Sequence, residues 1–279
     1  MSLTVGNGPF GHRPAGVFNI EVPRERLFYF EASPRRIRGI ADGETVVDSR
    51  HVHVLHEHGR LPLYCFPRAD VRTDLLVASD RRERSPVTGE AAYFGLRRGE
   101  RVVDDAAWEY AEGPLAGHVA FAWDALDRWL EEDEEALGHA RDPYHRVDAV
   151  PSSRHVRISL DGEMLAESTR AVAIFETGLA ARWYLPREDV RAPLEPSELQ
   201  TTCAYKGHAR YWSVRTSHGL EENLAWTYEE PRHDAAAVAG RVAFFDERVE
   251  VELDGEHQPR PQTPWSRPGW WRERSPLRR

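Results

Sequence analysis

From Val156 to Leu160 apolar and polar residues alternate: Val156, Ile158 and Leu160 are separated by Arg157 and Ser159. A period of two puts one set of side chains on one face, so the stretch predicts a half-buried strand. Asp161-Gly162 follows, and Asp42-Gly43 punctuates a similar alternation earlier in the chain. Such dipeptides are the signature of a tight hairpin turn. Comparable short runs predict strands at 172–176, 182–185, 209–215 and 238–245, and RVEVEL at 248–253 sets Val249, Val251 and Leu253 on one face. One stretch has a different period. In DALDRWLEEDEEALG (124–138), Leu126, Trp129 and Leu130 form an apolar stripe between Asp124 as N-cap and Gly138 as stop. That pattern predicts a helix.

The pattern occurs twice. Residues 37–72 lie over 156–191 without a gap, at an offset of 119 residues. Gly43/Gly162, Glu57/Glu176, Gly59/Gly178, Pro67/Pro186, Arg68/Arg187 and Asp70/Asp189 coincide. SPVTGEAAYF (85–94) then matches CAYKGHARYW (203–212), DAAWEY (105–110) matches NLAWTY (223–228), and AGHVAFA (116–122) matches AGRVAFF (239–245). Each copy is long enough to form a compact unit. The expected fold is therefore mainly β: two tandem, pseudo-equivalent domains of antiparallel sheets, with one helix ending the first copy. Residues 1–34 form an N-terminal extension, 35–138 the first repeat and 139–153 a linker. Residues 154–255 form the second repeat, and 256–279 a Pro-, Arg- and Trp-rich tail whose composition reads as a flexible segment; the alternative is that Trp265, Trp270 and Trp271 anchor it on the body.

Composition narrows the function. The net charge of −9 argues against a general nucleic-acid binder, since phosphate contacts need clustered Lys and Arg. No apolar run reaches the roughly 20 residues of a membrane span. The N-terminus lacks a secretory pattern, and two cysteines make neither a disulfide framework nor a CxxC zinc site. A cytoplasmic protein with reduced thiols, no metal and no cofactor is expected, its oligomeric state open. In HVHVLHEH (51–58), His51 and His53 share one strand face and His56 and His58 the other. With no third ligand specified, this reads as a solvated strand face rather than a metal site.

The doubled run of DGE, PRxDV, C-x-Y-K-G, YW, AWxY and AGxVAF resembles the bacterial "domain of unknown function 427" family over about residues 30–255. The resemblance implies small all-β domains of the β-tent kind. A nucleotidyltransferase label is sometimes attached to the family, but the chain has no Gly-Ser followed by spaced aspartates to hold Mg²⁺.

The two copies differ in their chemistry at one place. Copy one has Ser85, Thr88 and Glu90 where copy two has Cys203, Lys206 and His208. Lys206 is the only lysine among 37 basic residues. A compact ammonium can shift its pKa or form a Schiff base, and a guanidinium can do neither. Lys206, Cys203 and His208 are thus the candidate catalytic groups, with Cys203 a nucleophile if its neighbours lower its pKa. Tyr205, Lys206, Trp212, Trp226, Tyr228, Tyr184, Arg187 and Asn223 are the candidate ligand-binding set, aromatic walls around one cation. Arg187 and Asp189 also read as a structural ion pair at a turn. The favoured function is small-molecule binding at a pocket centred on Lys206. Covalent or oxyanion catalysis by Lys206 and a protein-interaction module are the alternatives.

Overall fold

The structure, a computed structural model, describes residues 3–272. The chain divides between His145 and Arg146 into two compact units. The first unit holds β1 (Phe28–Ala32), β2 (Ile37–Ala41), β3 (Glu44–Ser49), β4 (His53–Glu57), β5 (Leu63–Pro67) and β6 (Leu76–Ser85). It continues with β7 (Gly89–Arg98), β8 (Arg101–Tyr110), β9 (His118–Phe121), β10 (Arg128–Glu131) and β11 (Glu134–Ala136). These form a seven-stranded sheet, β1-β4-β5-β9-β8-β7-β6, and a four-stranded sheet, β11-β10-β2-β3.

The second unit holds β12 (Val147–Ser152), β13 (Val156–Leu160), β14 (Glu163–Ser168), β15 (Ala171–Glu176), β16 (Arg182–Tyr184) and β17 (Leu194–Cys203). β18 (Gly207–Thr216), β19 (Gly219–Thr227), β20 (Val242–Phe244), β21 (Glu250–Leu253) and β22 (Glu256–His257) follow. Its sheets are β12-β15-β16, β17-β18-β19-β20 and β14-β13-β21-β22. A bridge from Leu185 to Val242 joins the first two, reproducing the strand order of the first unit's large sheet. The fold is mainly β, built of antiparallel sheets in two tandem copies.

Matching backbone demands explain why the copies coincide. Asp42-Gly43 and Asp161-Gly162 take φ of 49° and 80°, and 49° and 82°. Left-handed conformation at both central residues gives a turn whose twist matches that of the strands it joins. Asp105 and Asn223, at φ 53° and 52°, sit in bulges where the β7–β8 and β18–β19 registers shift. Asp and Asn tolerate that conformation better than most residues.

The helix expected over 124–138 is absent. A single 3-10 turn, Trp123–Ala125, leads instead into the β10–β11 hairpin. β10 pairs with β2, Trp129 opposite Gly39 and Leu130 opposite Arg38. Trp129 and Leu126 occupy the space above Gly39, where a Cβ would lie 3.1 Å from the indole and 2.5 Å from the leucine. Helix propensity amounts to tenths of a kcal/mol per residue, less than a paired strand gains by burying an indole. Within RVEVEL, Glu250–Leu253 forms the counterpart β21, paired with β13. The two copies end alike.

The segment read as linker, 139–153, belongs to the units themselves. Ala140, Asp142 and His145 are buried in the first, and 147–152 is β12 of the second. Within the expected N-terminal extension, 28–32 is β1. The tail, expected to be flexible, instead packs on the second unit over its described part: Thr263 caps a 3-10 turn, and Trp270 is buried edge-on to Phe245 at 5.3 Å. Residues 273–279 of that tail lie outside the described residues. Among the described residues no helix is long and apolar enough to cross a membrane.

Trp129 stacks on Trp123 and Phe66 at 5.1 and 5.9 Å. Trp129→Ala should cost about 3–5 kcal/mol, as large-to-small core changes do. Equilibrium denaturation monitored by circular dichroism checks this. A loss under about 1 kcal/mol would show that the hairpin is not packed as described.

Candidate functional site

The turn 204–206, between β17 and β18, is buried: Ala204, Tyr205 and Lys206 all lie inside. Gly207 ends it at φ +97°, a conformation open to glycine, and the Lys206 carbonyl accepts a hydrogen bond from Arg232 N at 3.1 Å. The Lys206 ammonium forms a close ion pair with Glu176, whose side chain is 6% exposed. Glu176 ends β15, on the strand face shared with Val172 and Ile174. Around the pair stand Tyr184, Tyr211, Trp226 and Tyr228, in one cluster with the tail residues Trp265, Trp270 and Trp271. Trp226 Nε1 donates to Tyr184 Oη at 2.9 Å, and Tyr211 Oη is 2.9 Å from Thr201 Oγ1.

Electrostatics fix the state of this cluster. Burial works against the ammonium, but Cys203, Glu176 and Tyr184 outweigh it and hold Lys206 above the ordinary lysine range. Burial pushes the phenols of Tyr184, Tyr211 and Tyr228 up, so they remain neutral. The first unit has Thr88 at the lysine position. There Glu57 has its carboxyl raised by burial, with only Arg60 opposing, at 4.0 Å.

The structure brings together Lys206, Tyr184, Trp226 and Tyr228, with Cys203 beside them, half-buried; Tyr205 is buried in the turn next to Lys206. It does not bring in the others. His208 is exposed, Nδ1 3.1 Å from Thr202 Oγ1. Trp212 packs in a different core, its Nε1 donating to Thr227. The Arg187 guanidinium lies 4.2 Å from the Trp212 ring centre. Arg187 does not pair with Asp189, which is held instead by Ser168 Oγ at 2.6 Å and Arg170 Nη2 at 2.7 Å. Asn223 is a bulge residue whose Oδ1 accepts from Ser197 Oγ.

The histidine run is not the solvated face expected of it. His56 is fully buried, Nε2 3.1 Å from Glu31 and Nδ1 4.0 Å from Asp142. Among the described residues no three His, Cys, Asp or Glu side chains form a group that could hold a metal.

Sequence reasoning missed a cavity. It has a volume of about 530 Å³ and lies on the other face of β15 and β16, against Phe175 and Trp183. Asp246 also lines it and shares the Arg182 guanidinium with Glu247. Burial pushes the Asp246 carboxyl up to about 6; Arg182 opposes that rise and Glu247 adds to it. The sequence signals available were an aromatic, Phe175, on the outer face of a strand and a second acid beside Glu247.

Two measurements follow. A folded-state pKa above the unfolded value means that the folded chain holds the proton more tightly. That stability is present below the ordinary aspartate range and is lost as pH rises through about 6. Asp246→Asn should therefore flatten the stability profile between about pH 4 and pH 7, as read by urea denaturation. An unchanged profile would show that Asp246 titrates normally. At the bulge, Asn223→Ala should cost about 1–3 kcal/mol in the same assay and Asn223→Gly less, because only glycine keeps the backbone unstrained. Equal losses would refute the assignment of Asn223 to the backbone.

No curated protein matches the chain. A family model described as Domain of unknown function (DUF427) matches twice, over residues 29–132 and 148–255, one match in each compact unit. With the doubled motifs, the doubled strand order and two matches covering most of its length, the chain belongs to the DUF427 family as a tandem pair.

Proposed function

We propose that this protein binds a small molecule and that the second repeat carries the site, with the Lys206–Glu176 pair as its fixed charge. The supporting observation is the difference between equivalent positions. At the equivalent positions the first unit has a buried Thr88 and a partly buried Glu57, with no ammonium. The scaffold therefore does not require the ammonium. In the second unit these positions hold a buried ion pair beside Tyr184, Tyr211, Trp226 and Tyr228. Desolvating both charges is costly, and such pairs are often no more stable than apolar replacements. A charge kept at that cost in one copy alone is consistent with a role in recognition.

Binding fits better than covalent chemistry. A Schiff base needs a neutral amine, and the neighbours of Lys206 keep it protonated. The tail's indoles pack on their own unit, which weighs against their display to a protein partner.

The test separates structure from binding. Lys206→Met leaves Glu176 buried without its cation and should cost about 3–5 kcal/mol. Lys206→Met with Glu176→Gln should recover most of that loss. Native mass spectrometry of freshly purified protein then compares wild type with the double variant. The reading predicts a small molecule on the wild type that the folded double variant lacks. Equal occupancy in both, or a wild type that carries nothing and shows no thermal shift across a metabolite library, would overturn it.

A further inference from the structure

The cavity in the second unit has a counterpart in the first, and there the chain itself fills it. At the 119-residue offset, Val150, Phe175 and Trp183 stand where the first unit has Glu31, His56 and Tyr64. Those three residues hold the segment 141–144. Tyr144 Oη donates to Glu31 at 2.9 Å, Asp142 faces His56 at 4.0 Å, and Arg141 N donates to Tyr64 Oη at 3.1 Å. The strand registers also place Val251, opposite Ile158, where Trp129 lies opposite Gly39. Asp246, two residues beyond Phe244, takes the place of Trp123, two beyond Phe121. In the first unit Trp123 and Trp129 stack at 5.1 Å. The second unit thus lacks the stacked indoles. After β22 its chain only borders the space, at Gln258, Pro259 and Pro261, before turning to the cap at Thr263.

The substitutions also change the chemistry of the wall. Glu31, His56 and Tyr64 offered a carboxylate, an imidazole and a hydroxyl; Val150, Phe175 and Trp183 offer apolar and aromatic surface. Arg154 lines the space but is held by Asp254 at 2.6 Å. Asp246 remains. It and Glu247 are two carboxylates with one guanidinium, Arg182, between them. Arg182 Nη1 lies 3.5 Å from Asp246 but makes no hydrogen bond, and Glu247 Oε2 has none either. The group carries an excess of one negative charge beside an aromatic wall. A site of a few hundred Å³, mostly apolar with few polar groups, is the usual form of a small-molecule pocket.

The geometry points to a binding site for a small organic cation, an aromatic body carrying one amine, with the ring against Trp183 and Phe175 and the amine toward Asp246. This site lies on the opposite face of β15 and β16 from the Lys206–Glu176 pair and does not use that pair, although Arg182 borders both the cavity acid and, at 5.8 Å, the Trp226 ring.

Tryptamine serves as the probe, with indole-3-propionic acid as its anionic counterpart. Calorimetry and saturation-transfer NMR use the full chain at neutral pH. Tryptamine should bind at least about tenfold more tightly than the acid, a difference near 1.4 kcal/mol. Asp246→Asn should erase that preference. Val251→Trp, which restores the indole of the first unit, should weaken tryptamine at least about tenfold with the β-sheet circular dichroism intact. If that variant does not fold, Ala173→Leu narrows the same space and should do the same. The Lys206→Met/Glu176→Gln variant should bind tryptamine as wild type does, so this site and the Lys206 site can fail separately. Three results would each overturn the proposal: equal affinity for the acid, full binding in the folded filled variant, or no tryptamine binding up to about 5 mM.

Discussion

Each unit is closed by the backbone ladder between its first strand of the small sheet and its last hairpin. β2 takes β10 at its edge, and β13 takes β21. This pairing ties together residues about ninety positions apart, so it fixes the whole repeat before either copy can differ from the other. The hydrogen bonds are indifferent to which side chains face the core. Gly39 under Trp129 in one unit and Ile158 under Val251 in the other satisfy the same ladder with different volumes. The closure leaves the sequence after the hairpin free. In the first unit that sequence returns across the β1–β4–β5 face; in the second it turns away to dock Trp270 on Tyr211 and Phe245. One scaffold therefore yields a filled face in one copy and an open one in the other.

Buried charge follows the same division. In the first unit Glu131 lies inside, held by Arg35 and by the Tyr64 hydroxyl. Its counterpart by strand register, Leu253, is apolar. The second unit instead buries charge at Lys206–Glu176 and at Asp246–Arg182–Glu247. Arg182 also lies 5.8 Å from the Trp226 ring centre, so its guanidinium borders the aromatic cluster as well as the cavity acid. A buried charge is tolerated where a partner and hydrogen bonds offset its desolvation. Lys206 meets that requirement through Glu176, whereas the Asp246 group meets it incompletely, with two acids for one base.

Much of the fold was legible because it rests on local rules. Asp-Gly at 42–43 and 161–162 needs left-handed backbone, and alternation in 156–160 needs a half-buried strand; both survive as sequence. The hairpin at 128–136 was not legible in isolation. Glu, Leu and Ala favour a helix locally, and only the pairing with β2 decides otherwise. The counterpart RVEVEL carried the correct answer, because β-branched Val249 and Val251 show the strand that Trp129 and Leu130 conceal. Lys206 was legible from composition, since a lone lysine among arginines is anomalous without any structure. Its partner was not: a glutamate at a strand end reads as solvated until the register turns it inward with Val172 and Ile174. Arg187 and Asp189 failed for a related reason, since proximity in sequence said nothing of Trp212 and Arg170, which lie across the fold.

The cavity was least legible because nothing in the second repeat alone encodes it. Phe175, Trp183 and Val251 are each ordinary residues for a β core. What makes space is a difference: two indoles absent, and a segment that leads elsewhere. Differences of that kind can be read only when an equivalent is at hand, and a tandem duplication supplies one within the same chain. The first unit shows what the scaffold does when it fills that face with its own residues. The second shows the same ladder holding without them, which means that the space is not needed to be full for the fold to close. The space opens to solvent beside the half-exposed Phe175, so its aromatic and apolar walls meet water, and a bound apolar body would remove that surface from water. The apolar walls thus favour a molecule with an apolar body, whereas the charge left over at Asp246 bears on what that body would carry.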